Sequence, residues 1–266
     1  MLPLKSIKMK NRNGFGLVVS TFAWLMVAYG FTASGGEIDP QQKDWYGRYK
    51  SQENVPEPEK MLLNEDPEPD LTEGFKPLFN GHDLDGWERR GGKCHFEVND
   101  GTIVGTAAPG ADSTYLSTKR DDFRDFIFTC EIKWEVDGNS GVMFRAQTRQ
   151  EGDRVIVFGP QAEMEGISGD RGWSGGIYGQ SCGGYFYPLW LKDHQAVRGA
   201  IKKDDWNRIT IEAKGKVIKT WVNGIPAAHW IGDGTYAEGF FGLQSHKGQK
   251  GTVLFRKIQV KEINES

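Results

Sequence analysis

Three cysteines in 266 residues are too few for a disulfide framework, and Cys94, Cys130 and Cys182 make no C-x-x-C spacing. Whichever two paired, the third would stay free, and three reduced thiols are an equal expectation. The histidines show no metal spacing such as H-x-x-x-H. No EF-hand loop occurs, so no cofactor is expected, with a structural Ca²⁺ on loop Asp and Asn side chains as the open alternative. His82, His95, His194 and His229 read as solvated or capping residues. Positive charge is not in excess: 33 Lys and Arg stand against 36 Asp and Glu, a net charge of −3. That leaves no basic field for a phosphate backbone, so a nucleic-acid partner is excluded. There is no G-x-S-x-G, no P-loop and no strand-linked G-x-G-x-x-G, which removes serine hydrolases, NTPases and dinucleotide enzymes. No fixed-period repeat speaks for a propeller. Sustained 3.6-residue periodicity is also missing, although Asp193–Ala200 could form a helix of two turns.

Glycine and aromatic residues are abundant: 35 Gly, 15 Phe, 9 Trp and 8 Tyr. This combination supplies a core and predicts many short strands joined by tight turns. Before them lies a targeting pattern. Lys5, Lys8, Lys10 and Arg12 precede an uncharged run from Phe15 to Phe31, and Ala33-Ser34-Gly35 offers a cleavage site. Residues 1–35 therefore read as a signal peptide, with an uncleaved anchor as the alternative. No Cys follows the run, so a lipoprotein anchor is excluded. Export to the periplasm or outside the cell is expected, with no stable membrane insertion once the signal is cut. Residues 36–73 are acidic and contain Pro56, Pro58, Pro67 and Pro69. They read as a solvated leader with one short helix near Trp45–Tyr49.

Residues 74–264 read as one all-β domain. Asp100-Gly101 between two apolar runs predicts a hairpin, and Asn223-Gly224 and Lys214-Gly215 supply further turns. Phe126 to Val136 alternates as a half-buried strand does. Further strands are predicted at Gly141–Ala146, Gln161–Glu165, Arg208–Ala213, Val217–Val222, Gly239–Gln244 and Thr252–Glu262. Two antiparallel sheets packed over one core follow.

Three of these strands alternate apolar residues with a selective set of polar ones. Gln161, Glu163 and Glu165 share one face; Asn139, Gly141, Met143 and Arg145 share another; Gly242, Gln244 and His246 share a third. Carboxylates, amides, an arginine and a histidine are the components of a sugar site with acid–base capacity. Asp170 to Trp190 adds Trp173 and Tyr178 among other aromatics. Such rings stack on the C–H face of a sugar, or simply pack a long loop.

Several motifs carry a family resemblance. Leu78-Phe79-Asn80-Gly81-His82-Asp83-Leu84-Asp85-Gly86-Trp87 resembles the opening of the 3-keto-disaccharide hydrolase family. Asn139-Ser140-Gly141-Val142-Met143-Phe144-Arg145, Gly159-Pro160-Gln161-Ala162-Glu163 and Gly242-Leu243-Gln244-Ser245-His246 resemble later motifs, in family order. The resemblance implies a concanavalin A-like jelly-roll sandwich with its site on a concave sheet. It also implies a 3-keto-disaccharide or 3-keto-glycoside substrate, its C3 hydroxyl already a ketone. On that reading Glu163 is the base that takes the C2 proton, Arg145 holds the enolate oxygen and His246 protonates the leaving group. Asn139, Gln161, Glu165, Tyr178, Gln244 and Trp173 bind the sugar. The chain departs from many relatives in having Gln161 and Glu163 exchanged in type, and Gly179-Gln180 where others carry acids.

Two alternatives stay open. Glu163 and Glu165, two apart on a strand, lie about 6.6–6.8 Å apart at Cα, a spacing that suits direct glycoside hydrolysis of the laminarinase type. A non-catalytic lectin-like module would need the amides and aromatics but no working carboxylate.

Overall fold

Phe126, Phe128, Cys130, Ile132 and Trp134 are each at most 4% exposed, so this face of the strand is core as far as Trp134. Phe126 and Phe128 meet Phe241 from the opposite sheet, whose ring lies 4.7 Å from Phe126, 4.6 Å from Phe128 and 4.6 Å from nearby Phe123. Truncating a fully buried Phe costs about 3–5 kcal/mol, so this aromatic knot is a main tie between the sheets. The computed structural model describes residues 36–263 apart from Ile167, Gly169 and Gln249. The expected signal segment lies outside the described residues. Among these, no helix is long and apolar enough to cross a membrane.

One sheet has eight strands: β1 (Lys76–Pro77), β3 (His95–Asn99), β4 (Thr102–Thr106), β6 (Phe126–Val136), β11 (Asn207–Lys214), β12 (Val217–Val222), β13 (Ile225–Ile231) and β15 (Thr252–Glu262). The other has seven: β2 (Trp87–Gly91), β5 (Thr114–Thr118), β7 (Ser140–Glu151), β8 (Arg154–Met164), β9 (Ile177–Gln180), β10 (Tyr185–Tyr187) and β14 (Phe240–Ser245). The order across the seven-stranded sheet is β10-β9-β8-β7-β14-β5-β2, and every pairing in both sheets is antiparallel. This is the expected two-sheet jelly-roll sandwich.

The hairpin turns follow from the residues that tolerate positive φ. Asp100 (φ 46°) and Gly101 (φ 70°) close β3 onto β4, and Asn223 (φ 53°) and Gly224 (φ 85°) close β12 onto β13. The helix expected at Asp193–Ala200 is a 3-10 turn at Lys192–His194 running into α2 (Gln195–Arg198). His194 caps that turn, its Nδ1 accepting from Leu191 N at 3.3 Å, and burial lowers its pKa to about 3. Cys94, Cys130 and Cys182 are all free thiols.

The leader is not a solvated spacer. Its helix, α1 (Lys43–Tyr49), lays Tyr46 against Trp190 and Tyr49 against Trp173 and Tyr185. Further on, Met61 is 2% exposed, and Glu68 pairs with Arg208 and accepts from Thr210. Acidic, proline-rich composition suggested solvation, but the aromatic and carboxylate side chains have fixed partners on the sandwich. The segment is a strap.

Candidate active site

A cleft of about 1120 Å³ lies over the seven-stranded sheet. Strand alternation builds its floor. On β8, Ala162 and Met164 are fully buried in the core, which turns Gln161 and Glu163 outward into the cleft. On β14, Phe241 and Leu243 enter the core and Gln244 faces the cleft. Gly141 pairs with Glu163 across β7 and β8. A Cβ there would stand 2.6 Å from Gln161 Nε2 and 2.8 Å from the Ala162 carbonyl. The missing side chain lets the Gln161 amide lie across β7.

That amide joins a chain of hydrogen bonds. Gln161 Nε2 donates to Glu163 Oε1 at 2.9 Å and to Gln244 Oε1 at 3.2 Å, and Gln244 Nε2 donates to Tyr115 OH at 3.1 Å. Asn139 Nδ2 donates to Glu163 Oε2 at 3.4 Å. Gln161 nitrogen faces two acceptors, so the amide orientation is fixed by the network. Gln161 Oε1 and Asn139 Oδ1 are thereby left buried without a partner. An unmet buried acceptor costs about 1–3 kcal/mol, and a ligand hydroxyl would relieve it.

Glu163 is 3% exposed, and burial pushes its pKa up to about 7. The positive charge of Arg171 opposes that rise, Glu165 adds to it, and the two amide bonds oppose it. Arg171 ion-pairs with Glu165, donates to Tyr185 OH, and lies 5.2 Å from the Trp173 ring. Burial alone would lower its pKa, but Glu165 and its neighbours hold it firmly protonated. His246 lines the cleft, with Nδ1 2.7 Å from the Lys247 carbonyl. A carbonyl only accepts, so Nδ1 carries the proton and Nε2 is the free acceptor. Burial, with Lys247 and Arg171 nearby, holds the ring below the usual histidine pKa. It is therefore neutral at pH 7.

With this geometry in view the sequence comparison is decisive. Residues 74–261 match the 3-keto-alpha-glucoside-1,2-lyase-like domain. The chain belongs to this family. No curated protein matches the chain. Among solved structures, a Parabacteroides distasonis protein provisionally assigned as a glycosyl hydrolase superposes with a TM-score of 0.50 at 18% identity, over 75% of this chain and 100% of its own. A Bacillus subtilis protein of unknown function with a galectin-like fold gives 0.51 at 15% identity, over 71% of this chain and 94% of its own. These likenesses speak to the fold.

Within the lyase-like domain, Asn139, Gln161, Glu163, Tyr178, Gln244 and His246 converge on one cleft. Three expected residues do not. Arg145 sits at a β-bulge: Met143 pairs with Gln161 but Gln147 with Phe158, so β7 carries one residue more than β8 there. Arg145 takes φ 46° and turns away from the cleft. Its guanidinium donates to the carbonyls of Arg124 and Gly215 at 2.7 Å each and to Asp125 at 2.9 Å. Trp173 is fully buried, its Nε1 donating to Gln42 at 2.6 Å, so it cannot stack on a ligand. Glu165 lies just past β8, committed to Arg171 and to Trp173 N at 2.8 Å. Sequence reasoning missed Arg171 and Tyr115, and it marked Tyr185 only as one of the loop's aromatics, not as a partner of Arg171. Arg171 stands in the loop already marked as aromatic-rich, and its placement beside Glu165 is a long-range result of folding.

Proposed function

We propose that this protein cleaves 3-keto-glycosides by proton abstraction at C2 and elimination of the C1 group. The observation that carries this reading is Glu163: a buried carboxylate with a pKa near 7, held by two amides over a sugar-sized cleft. The ketone at C3 acidifies the C2 proton. Glu163 takes that proton, and the C–H electron pair becomes an enolate with its charge on the C3 oxygen. Tyr185 accepts from Arg171, so its own proton is free to donate to that oxygen with the guanidinium charge behind it. Collapse of the enolate breaks the C1–O bond, and the departing oxygen takes back the proton now on Glu163. Water then adds across the C1–C2 double bond: its oxygen bonds to C1, His246 Nε2 accepts its proton, and that proton passes to C2. The sum is hydrolysis. His246 acts here as a base, because its free nitrogen carries no proton; the expected acid role would need a cationic ring.

The carboxylate arrangement supports this chemistry over direct hydrolysis by a carboxylate pair, since Glu165 is neutralised by Arg171. Export follows on this reading from the N-terminal targeting pattern. The test is to incubate purified protein with a 3-keto-glucoside, the matching ordinary glucoside and a protein-free control. Loss of the keto sugar alone is expected. Loss of both sugars indicates direct hydrolysis, and binding without turnover indicates a lectin.

A further inference from the structure

We propose that the strap, residues 36–73, is a specificity-determining part of the cleft: Tyr49 and Gln52 form the wall that contacts the sugar beyond Tyr178 and Tyr185. The inference rests on the cleft being a sugar site, as argued above. The strap lies outside the matched family domain, which begins at residue 74. Yet Tyr49 and Gln52 line the same cleft as Glu163.

The sandwich is shaped to receive this segment. β10 is the edge strand of the seven-stranded sheet, so the sheet face would otherwise run out into solvent there. Tyr49 stands over that edge, 5.3 Å from the Tyr185 ring. In the β9–β10 turn, Gly184 N donates to the Glu53 carbonyl at 2.8 Å. A Cβ on Gly184 would fall 2.6 Å from Gln52 Cβ and 2.7 Å from that carbonyl, and one on Gly183 would fall 2.2 Å from Asn54 Nδ2. Two adjacent glycines are thus cut to the strap's outline. Behind them, Gln42 donates to the Arg171 carbonyl at 3.0 Å, and Tyr49 lies 5.9 Å from the Arg171 guanidinium. The strap therefore also braces the cation beside the base.

What the wall offers defines what it takes. Tyr49 presents an aromatic face and Gln52 an exposed amide, next to Tyr178 and Gln180 on β9. This flank carries rings and amides, and its cation, Arg171, is already paired with Glu165, so it suits a neutral, hydroxyl-bearing sugar ring. The opposite flank is ionic, with Arg90, Lys93, Asp112 and Arg154. A neutral ring at the strap end follows.

The test uses full-length protein, with Gln52→Ala to remove the amide and Gly184→Ala to push the strap off its seat. Turnover of methyl 3-keto-glucoside and of a 3-keto-disaccharide is measured, together with calorimetric binding of the unoxidised parent sugars. Gln52→Ala should weaken sugar binding roughly two- to tenfold, the size of one lost neutral hydrogen bond. It should raise KM more than it lowers kcat. Gly184→Ala should weaken binding at least as much and expose residues 50–60 to limited proteolysis. Unchanged KM and binding in both variants would overturn the proposal. If the wild type binds the parent sugars but turns over neither keto sugar, the elimination reading fails and the binding data alone judge the strap. A wild type that neither turns over a keto sugar nor binds a parent sugar overturns both.

Discussion

Glu165 and Arg171 form an ion pair in which the carboxylate is 5% exposed and the guanidinium 18%. The pair takes one of the two neighbouring carboxylates out of acid–base chemistry and leaves the other, Glu163, close to a fixed positive charge. Burying two carboxylates together is costly, and the cation is what makes the arrangement tenable. It also sets the working proton affinity of Glu163, since burial drives that pKa up and Arg171 restrains it.

A pH profile should expose this balance. With Glu163 required as carboxylate, kcat/KM should climb tenfold per pH unit on the acid side and level off above about 7. Glu165→Gln removes a charge that raises the Glu163 pKa and releases Arg171 from its partner. The acid limb should then move to lower pH. A limb that stays in place, or moves upward, would show that the titrating group is not Glu163.

Glu163→Gln separates catalysis from stability. Loss of the base should lower kcat by about 10²–10⁴. The folded pKa, about 7, lies above the ordinary 4.5, so between these values the unfolded chain binds fewer protons. Stability is therefore lost as pH rises through that window, by about 3 kcal/mol in all. The glutamine variant carries no such penalty. Chemical denaturation should find it more stable than wild type at pH 8, with a much smaller difference at pH 4.5.

Period-two alternation made the cleft floor legible: Gln161, Glu163 and Gln244 point where their strands require. It failed at Arg145, because a bulge adds one residue and nothing in the local pattern of Met143-Phe144-Arg145-Ala146 announces it. β5 was missed because all five of its residues are buried, so Thr114–Thr118 has no alternation to read. Tyr115 was lost with it. Arg171 and the strap were invisible for another reason. Their partners lie far off in sequence, as with Gln42 bonding Arg171 and Trp173, and composition registers charge and proline but not docking.

Gly141→Ala tests the floor without touching a functional group. The new methyl would displace the Gln161 amide from its place over β7, loosening the bonds to both Glu163 and Gln244. Substrate affinity should fall, and the acid limb should shift upward as Glu163 loses a donor that lowers its pKa. Crystallography of the variant should show Gln161 moved. An unmoved amide with unchanged kinetics would mean that Gly141 has no part in shaping the site.

The two arginines should respond in opposite ways. Arg145→Ala removes a buried guanidinium from Asp125 and from the carbonyls of Arg124 and Gly215. Breaking such a buried pair costs about 3–5 kcal/mol, although Asp125 keeps its bond from Gly215 N at 2.9 Å and so is not stranded. The melting temperature should drop, while kcat measured on the folded fraction stays near wild type. Arg171→Lys keeps a positive charge for Glu165 but loses the planar fork that reaches Tyr185 at the same time. Stability should change little, and kcat should fall, because Tyr185, the donor to the enolate oxygen, loses the guanidinium bond behind its hydroxyl. Thermal denaturation and steady-state kinetics on both variants decide the matter. A catalytic defect in Arg145→Ala with intact stability would return the oxyanion role to Arg145 and remove it from the Tyr185–Arg171 pair.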